Sequence, residues 1–311
     1  MISVVVPTFG RRELLRETLA SLARQEGAGS FEVLVVDDGA DATLGVWVAA
    51  LSLPLDVRVI HHPVNRGRAA ARNTGIGQAR GEIVLFLDSD MRVVPGFLAA
   101  HAALHDTRDV VALGHIVTAR EIPRTPWVEY TDSRGVHKVA RDANIPPRYF
   151  MTGNSSVSAA LLARAGGFDE EFAEYGGEDT EMGYRLADHG GRFRHAEAAV
   201  AEHLDQHGVR ATAIRLRRYG ETMVPILVRK VPRARQELHL DLVEPVDFAR
   251  DGVGRALRKG VMRVLARRAF WEPAAFVGER LPRGIRWDAL FDFVRASAYL
   301  DGYRRSGASP R

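Results

Sequence analysis

Residues 83–90 read Ile-Val-Leu-Phe-Leu-Asp-Ser-Asp, an unbroken apolar run that ends in two aspartates. Five apolar residues in succession are typical of a strand that is buried on both faces of a sheet. Open α/β sheets bind ligands at the carboxyl ends of their strands, which is where Asp88, Ser89 and Asp90 would lie. The stretch therefore predicts a sheet with helices on both faces and a polar site at its edge.

Two carboxylates one residue apart form a candidate metal site. Mg²⁺ and Mn²⁺ prefer oxygen ligands and are commonly held by one or two carboxylates together with the phosphates of a substrate. Asp88 and Asp90 could carry a metal-bound diphosphate in this way, although a simple acidic turn after a strand has the same composition. Further motifs in the chain are needed to distinguish a metal site from a simple turn.

Short apolar runs alternate with helical patterns through the first hundred residues. Strands are predicted at 3–7, 31–36, 57–61 and 83–87, and helices at 11–25, 41–51, 69–80 and 95–105. This alternation predicts an α/β fold with a mainly parallel central sheet and helices on both faces.

The pattern changes after residue 110. A strand is predicted at 110–119, a loop-rich segment with four prolines at 120–150, a further strand at 198–203, and helices at 209–231, 249–268 and 287–303. We therefore expect one α/β domain over 1–208 and a mostly helical region over 209–311.

Charge divides the chain at a similar place. Residues 1–204 carry 21 basic and 27 acidic side chains, and residues 205–311 carry 22 and 12, so the formal charges are −6 and +10. The basic C-terminal region could contact an acceptor, an anionic membrane surface or a second copy of the chain. A solvated arginine-rich face would have the same composition.

Composition also limits the chemistry and the location. The chain has no cysteine, which excludes disulfides, thiolate metal sites and cysteine nucleophiles. The N-terminal residues lack the pattern of a signal peptide, and no apolar segment is long enough to span a bilayer. We expect a cytoplasmic enzyme, with peripheral contact at the inner face of the membrane left open.

Two further segments carry candidate nucleotide ligands. Asp37 and Asp38 follow the second predicted strand and could accept hydrogen bonds from a ribose or a base, while Thr8 follows the first strand and could frame a nucleobase. Residues 65–73 open a helix with three arginines, a setting that favours phosphate. Turn formation and surface ion pairs are the alternative explanations.

A second acidic motif, Tyr-Gly-Gly-Glu-Asp over 175–179, opens another predicted helix. Its acidic pair, Glu178 and Asp179, could provide a general base that deprotonates an acceptor hydroxyl. Helix capping by Asp179 is the alternative. His203 closes the apolar run that follows, and as an imidazole it is a candidate metal ligand beside Asp88 and Asp90.

Taken in order, these motifs resemble a family 2 glycosyltransferase of the GT-A fold over about residues 1–205. The segments that carry the resemblance are VVVPTFG, VLVVDDGA, NRGRAAARNTGIGQARGE, FLDSD, GNSSVSAALLARAGGFDEEF and YGGEDTEMGYRL. The Gly-Gly-Glu-Asp block is also similar to that of metazoan galactosyltransferases and bacterial chondroitin-type polymerases.

The resemblance implies an inverting transferase that uses a nucleotide-diphosphate sugar, a UDP-sugar first of all, with Mn²⁺ or Mg²⁺ and a hydroxyl-bearing acceptor. Residues 1–208 would then form the GT-A nucleotide-sugar-binding and catalytic domain. We expect no nucleic acid partner, and the basic C-terminal region leaves a homodimer open. The resemblance also implies roles for single residues. Thr8 and Asp38 would contact the nucleobase or ribose, Asp88 would contact the ribose or a metal-bound water, Asp90 and His203 would bind the metal, and Asp179 would be the base. Less secure nucleotide contacts are implied for Asp37, Arg68 and Arg72, and positions near the donor sugar or acceptor for Gly153, Asn154 and Glu178.

Two other hypotheses compete with this one, and a third, a phosphatase, fits the sequence less well. A sugar-nucleotide pyrophosphorylase would show a glycine-rich, arginine-containing loop after its first strand, and Pro7-Thr8-Phe9-Gly10 matches that poorly. A catalytically silent nucleotide-sugar-binding module would not need Asp90, Asp179 and His203 together. A haloacid-type phosphatase would carry its Asp-x-Asp after the first strand, not after several.

Overall fold

The computed structural model describes residues 1–27, 29–136, 145–284 and 287–308, and of residues 248–250 it describes the backbone alone. The chain forms two compact units. The first comprises residues 1–122, 132–173 and 178–206, and the second comprises residues 123–131, 174–177 and 207–311.

An eight-stranded sheet organises the first unit. Its strands are β1 (Ile2–Thr8), β2 (Phe31–Asp37), β3 (Val57–His61), β4 (Ile83–Leu87), β5 (Met91–Val93), β6 (Val110–Thr118), β7 (Asn154–Ser158) and β8 (Arg192–His203). The strand order is β3-β2-β1-β4-β7-β6-β8-β5. β7 pairs antiparallel with β4 and β6, and β5 pairs antiparallel with β8, while the other ladders are parallel. The prediction of a mainly parallel sheet is confirmed.

Helices cover both faces of this sheet. They are α1 (Arg12–Leu22), α2 (Leu44–Ala50), α3 (Arg68–Gln78), α4 (Phe97–Ala102), α6 (Ala159–Ala165) and α7 (Glu178–Asp188), with α5 given below. Successive strand residues point to opposite faces, so Val4 and Leu85 belong to one apolar cluster and Val5 and Phe86 to the other. Because each face is covered by helices, the edge formed by the strands' carboxyl ends is where polar side chains collect.

The second unit is helical. It contains α5 (Pro126–Asp132) for most of its length, α8 (Val209–Thr222), α9 (Val224–Lys230), α10 (Ala234–Glu237), α11 (Phe248–Leu265), α12 (Arg268–Gly278) and α13 (Asp288–Arg305). Trp127 of α5 stacks on Tyr130 at 5.4 Å, and both pack with Trp271 and Phe291 in one buried cluster. None of the described helices combines the length and the apolar content that crossing a bilayer needs.

Three predictions about helices need correction. The predicted helix over 209–231 is two helices, because Pro225 lacks the N–H that a continuous helix would use. The segment 120–150 contains α5, which Pro126 opens at a position where proline is favoured. α12 was not predicted, since Pro273 lies inside it. Residues 137–144 of the predicted loop lie outside the described residues.

Two glycines allow α8 and α13 to pack closely. A Cβ at Gly302 would overlap the carbonyl oxygen of Arg217, and a Cβ at Gly220 would overlap the carbonyl oxygen of Tyr299. Backbone cannot move aside as the end of a flexible side chain can. The contact therefore depends on the absence of side chains at these positions.

We predict that Gly302→Ala lowers the free energy of unfolding by about 1–3 kcal/mol, the usual cost of overpacking. Gly260→Ala in α11 is the control, because nothing lies within 4 Å of its added methyl group, and it should raise stability by about 0.5–1 kcal/mol. Urea unfolding followed by circular dichroism measures both variants. Equal effects of the two substitutions would contradict the close helix contact.

Candidate active site

The strand order brings the predicted polar residues to one edge of the sheet. β1 lies between β2 and β4, and the parallel register pairs Thr8 with Asp37 at the ends of their strands. Asp88 directly follows β4, the other neighbour of β1. Thr8, the Asp37-Asp38 pair and the Asp88 turn are thus adjacent, as expected for a ligand site in an open α/β sheet.

Asp37 and Asp38 are both buried and bonded to the protein. Asp37 accepts hydrogen bonds from the backbone N–H groups of Ala40 (3.2 Å) and Asp41 (2.9 Å), and its Oδ2 lies 2.6 Å from His61 Nδ1. A carboxylate offers about four acceptor positions, so these contacts leave about one.

Asp38 holds the loop that precedes α3. Its Oδ1 accepts from the backbone N–H of Arg66 (2.9 Å) and lies 2.9 Å from His62 Nδ1, while its Oδ2 accepts from the N–H of Gly67 (2.8 Å). Since Oδ2 has a single partner, it retains an acceptor position for one ligand N–H or O–H. Nucleotide contact by Asp38, and by Asp37, stays a prediction.

His203 lies beside Asp90 because β5 pairs with β8 in the register Met91 to His203. His203 Nε2 is 3.4 Å from Asp90 Oδ2, and Asp90 Oδ1 is buried without a hydrogen-bond partner. Burial disfavours the charge on Asp90, but the bond to His203 and its charge outweigh burial, so the pKa of Asp90 lies below its ordinary value. The site keeps Asp90 ionised.

Asp90 and His203 fit a divalent cation that also binds a ligand. The buried, unpartnered Asp90 oxygen and, after loss of its proton, the imidazole nitrogen of His203 are two donors that Mn²⁺ or Mg²⁺ accepts. Within the described ranges no group of three or more histidine, aspartate or glutamate side chains could hold a metal ion alone. Such a pair suits a metal whose other ligands come from substrate phosphates and water.

Arg72 of α3 is 1% exposed and contacts three carboxylates. Its Nη2 lies 3.2 Å from Asp88 Oδ1, and its Nη1 lies 3.2 Å from Glu178 Oε1 and 3.7 Å from Asp179 Oδ1. The family resemblance implies a nucleotide contact for Arg72. In the structure it joins the turn after β4 to the first residues of α7.

Asp179 is fixed by Thr152, a residue that the sequence did not single out. The Thr152 backbone N–H donates to Asp179 Oδ2 (3.1 Å) and its hydroxyl donates to Asp179 Oδ1 (2.9 Å). The Asp179 side chain is 25% exposed, so it can still meet a ligand. Burial first, and then the negative charge of Glu178, raise the pKa of Asp179 to about 7 despite Arg72.

The other predicted site residues divide into two groups. Gly153 approaches Asp88, since a Cβ there would lie 3.2 Å from Asp88 Oδ2, and Ser89 is half-buried within the turn. Asn154 is buried in the sheet, where its amide donates to the carbonyls of His115 and Ala199 and its Oδ1 lies 2.9 Å from His101 Nε2. Arg68 is exposed at the start of α3. The Asn154 amide is therefore bonded within the sheet and not to the carboxylates.

Arg11 is a second residue that the sequence analysis missed. Its Nη1 donates to Asp205 Oδ2 (2.5 Å) and lies 3.9 Å from Asp90 Oδ2. Its backbone is left-handed (φ 58°, ψ 48°), a conformation that is uncommon for any residue but glycine. A lone arginine after a strand carries no signal that would separate it from its neighbour Arg12, which pairs with Asp41.

Comparison with known protein families matches most of the chain. The model of glycosyl transferase family 2 matches residues 3–158, and that of glycosyl transferase family group 2 matches residues 83–293. The chondroitin synthase of Pasteurella multocida is 31% identical over 242 residues, which are 67% of this chain and 25% of that protein. The chain thus spans a quarter of the length of that relative.

Solved structures share the fold. A mannosyltransferase of Pyrobaculum calidifontis, PcManGT, in complex with GDP-Man and Mn²⁺, superposes with a TM-score of 0.58 at 20% identity, covering 96% of this chain and 85% of its own. Residues 1–349 of Staphylococcus aureus TarS in complex with UDP give 0.55 at 22% identity, covering 97% and 89%. At these identities the likeness shows the GT-A glycosyltransferase fold.

The raised pKa of Asp179 predicts a specific pH dependence of stability. Below about pH 4 the Asp179 carboxyl is protonated in both the folded and the unfolded chain. Between about pH 4 and about pH 7 it is protonated only in the folded chain. The stabilising contribution is therefore present at low pH and is lost as the pH rises to about 7. Asp179→Asn should lack this loss, as thermal unfolding across the pH range will measure.

Glu13→Gln is the control for this experiment, because it removes a carboxyl whose side chain is 78% exposed. It should reproduce the wild-type dependence on pH. Parallel pH curves for wild type and Asp179→Asn would show that Asp179 does not retain its proton in the folded chain.

Proposed function

The chain belongs to glycosyl transferase family 2, and we propose that it is a metal-dependent, inverting glycosyltransferase. The donor is a nucleotide-diphosphate sugar, with a UDP-sugar favoured, and the acceptor is a hydroxyl group. UDP bound to TarS, and GDP-Man with Mn²⁺ bound to PcManGT, support a nucleotide-sugar donor and a metal.

One observation carries the proposal. The buried guanidinium of Arg72 contacts Asp88 on one side and Glu178 and Asp179 on the other. The Asp-x-Asp turn and the candidate base are therefore held around one cation. Group transfer needs both functions together: a place for the departing diphosphate and a group that accepts the proton of the attacking hydroxyl.

Side chains at the edge of the sheet would bind the donor. Asp90 and His203 would hold Mn²⁺ or Mg²⁺, which neutralises charge on the diphosphate as it leaves. Thr8 and the remaining acceptor position of Asp38 would contact the nucleoside, and Asp37 is a less secure nucleotide contact beside them. The N-terminus of α3, with Arg68 in its first turn, favours the phosphates, and Gly153 leaves room beside Asp88.

Asp179 accepts the acceptor's proton. The hydroxyl oxygen forms the bond to the anomeric carbon while the bond from that carbon to the diphosphate breaks, and the nucleoside diphosphate departs with the bonding electrons. Attack from the face opposite the leaving group inverts the anomeric configuration. Thr152 orients the Asp179 carboxylate, and Glu178 acts through Arg72.

We predict that a nucleoside diphosphate stabilises the protein only when Mn²⁺ or Mg²⁺ is present. A ligand at a hundred times its dissociation constant adds about 2.7 kcal/mol to the free energy of unfolding. Thermal unfolding with UDP, GDP, dTDP and CDP, with and without metal, measures the effect. Asp90→Asn should abolish the metal-dependent part, whereas Asp109→Asn, a change at an ion pair with Arg164, should keep it. No metal-dependent shift with any nucleotide would contradict the proposal.

For transfer, we predict that kcat/KM rises about tenfold per pH unit below pH 7 and then levels off, because the base must lose its proton. Asp179→Asn should bind the donor like wild type and lose at least about a hundredfold in kcat. The assay follows release of nucleoside diphosphate with the donor and an acceptor panel. Full activity of Asp179→Asn would assign the base elsewhere, and donor binding without transfer in wild type would indicate a silent module.

A further inference from the structure

α11 exposes an apolar stripe along one of its faces. The helix is interrupted at Gly252 (φ 62°, ψ 168°). After this interruption Val253, Leu257, Val261 and Val264 follow one another at intervals of four, four and three residues, so they lie on the same side of the helix. They are 89%, 68%, 47% and 44% exposed. We call these four residues the α11 stripe; with Val246 and Leu265 among its neighbours, the stripe lines an apolar groove of about 730 Å³.

The opposite face of α11 packs through polar groups. Lys259 is buried, and its Nζ lies 2.6 Å from Asp251 Oδ2. Arg263 donates to the carbonyl of Val243 (3.1 Å), and Arg255 lies 2.9 Å from Asp241. An ordinary surface helix buries its apolar face. α11 also buries Ala256 and packs Met262 against an apolar cluster, but it leaves the aliphatic side chains of the stripe exposed.

The segment that carries the stripe is rich in basic residues. Residues 251–268 carry six basic side chains and one acidic side chain. Arg258 and Arg267 are exposed, and among the residues that the structure describes neither has an ion-pair partner. An exposed aliphatic stripe with unpaired arginines near it has the composition of a helix that lies in a lipid–water interface.

We propose that the α11 stripe docks on the surface of an anionic lipid bilayer. The aliphatic side chains would enter the boundary between headgroups and acyl chains, and the arginine stems would extend so that Arg258 and Arg267 reach lipid phosphates. Charge complementarity selects this partner over a second copy of the chain. A two-fold contact would place the same basic surface against itself, and like charges repel.

Flotation with vesicles tests this with the full chain. The protein should float with vesicles of phosphatidylcholine mixed with phosphatidylglycerol, and it should float much less with phosphatidylcholine alone or at high salt. Val253→Asp should weaken binding by about tenfold or more, from the loss of one buried valine. Val46→Asp is the matched control, since Val46 is 76% exposed in α2, outside the stripe, and it should bind like wild type.

Arg258→Gln should weaken binding to the mixed vesicles by about fivefold and reduce its dependence on salt. Circular dichroism and metal-dependent stabilisation by nucleotide should be the same for all variants, which separates this proposal from the transferase proposal. Binding that Val253→Asp leaves unchanged would overturn it. So would a concentration-dependent dimer that Val253→Asp dissociates, because the stripe would then be a contact between two copies.

Discussion

The guanidinium of Arg72 is buried among the carboxylates of Asp88, Glu178 and Asp179. Taking such groups out of water costs several kcal/mol per ion, and only good geometry with further hydrogen bonds offsets that cost. Removing the cation alone would leave three carboxylates close together. Arg72 is therefore the condition under which the turn after β4 and the start of α7 can lie side by side.

Three carboxylates around one guanidinium also leave an excess of negative charge. Burial and the charge of Glu178 disfavour the charged form of Asp179, whose pKa rises to about 7, so Asp179 relieves that excess by keeping a proton. Asp90 lies at the same edge, and there His203 lowers the carboxyl pKa. The carboxyl pKa values of Asp90 and Asp179 are thus shifted in opposite directions. The low pKa suits Asp90 to hold a cation, and the raised pKa suits Asp179 to exchange a proton near neutral pH.

The sequence predicted the parallel half of the sheet and the motifs at its edge because both are local patterns. The run that ends in Asp88 is apolar in every position of β4, and the register of β1 and β2 then places Thr8 beside Asp37. β7 was harder to predict. Its five buried residues include three serines, and Ser156 is satisfied by His101 and His105, which are far away in sequence. Thr152 was missed for the same reason: its partner Asp179 is 27 residues away.

The C-terminal region shows a different limit of sequence patterns. Trp271 of α12 and Val253 of α11 both lie in arginine-rich helical segments, yet one is buried and the other is 89% exposed. Periodicity identifies an apolar face but does not tell which face turns inward. In α11 the buried Lys259–Asp251 ion pair determines which face turns inward. Breaking a buried ion pair leaves an uncompensated charge, which costs more than the transfer free energy that is lost when a valine stays in water. The polar contacts orient the helix, and the exposed aliphatic face can therefore contact a lipid bilayer.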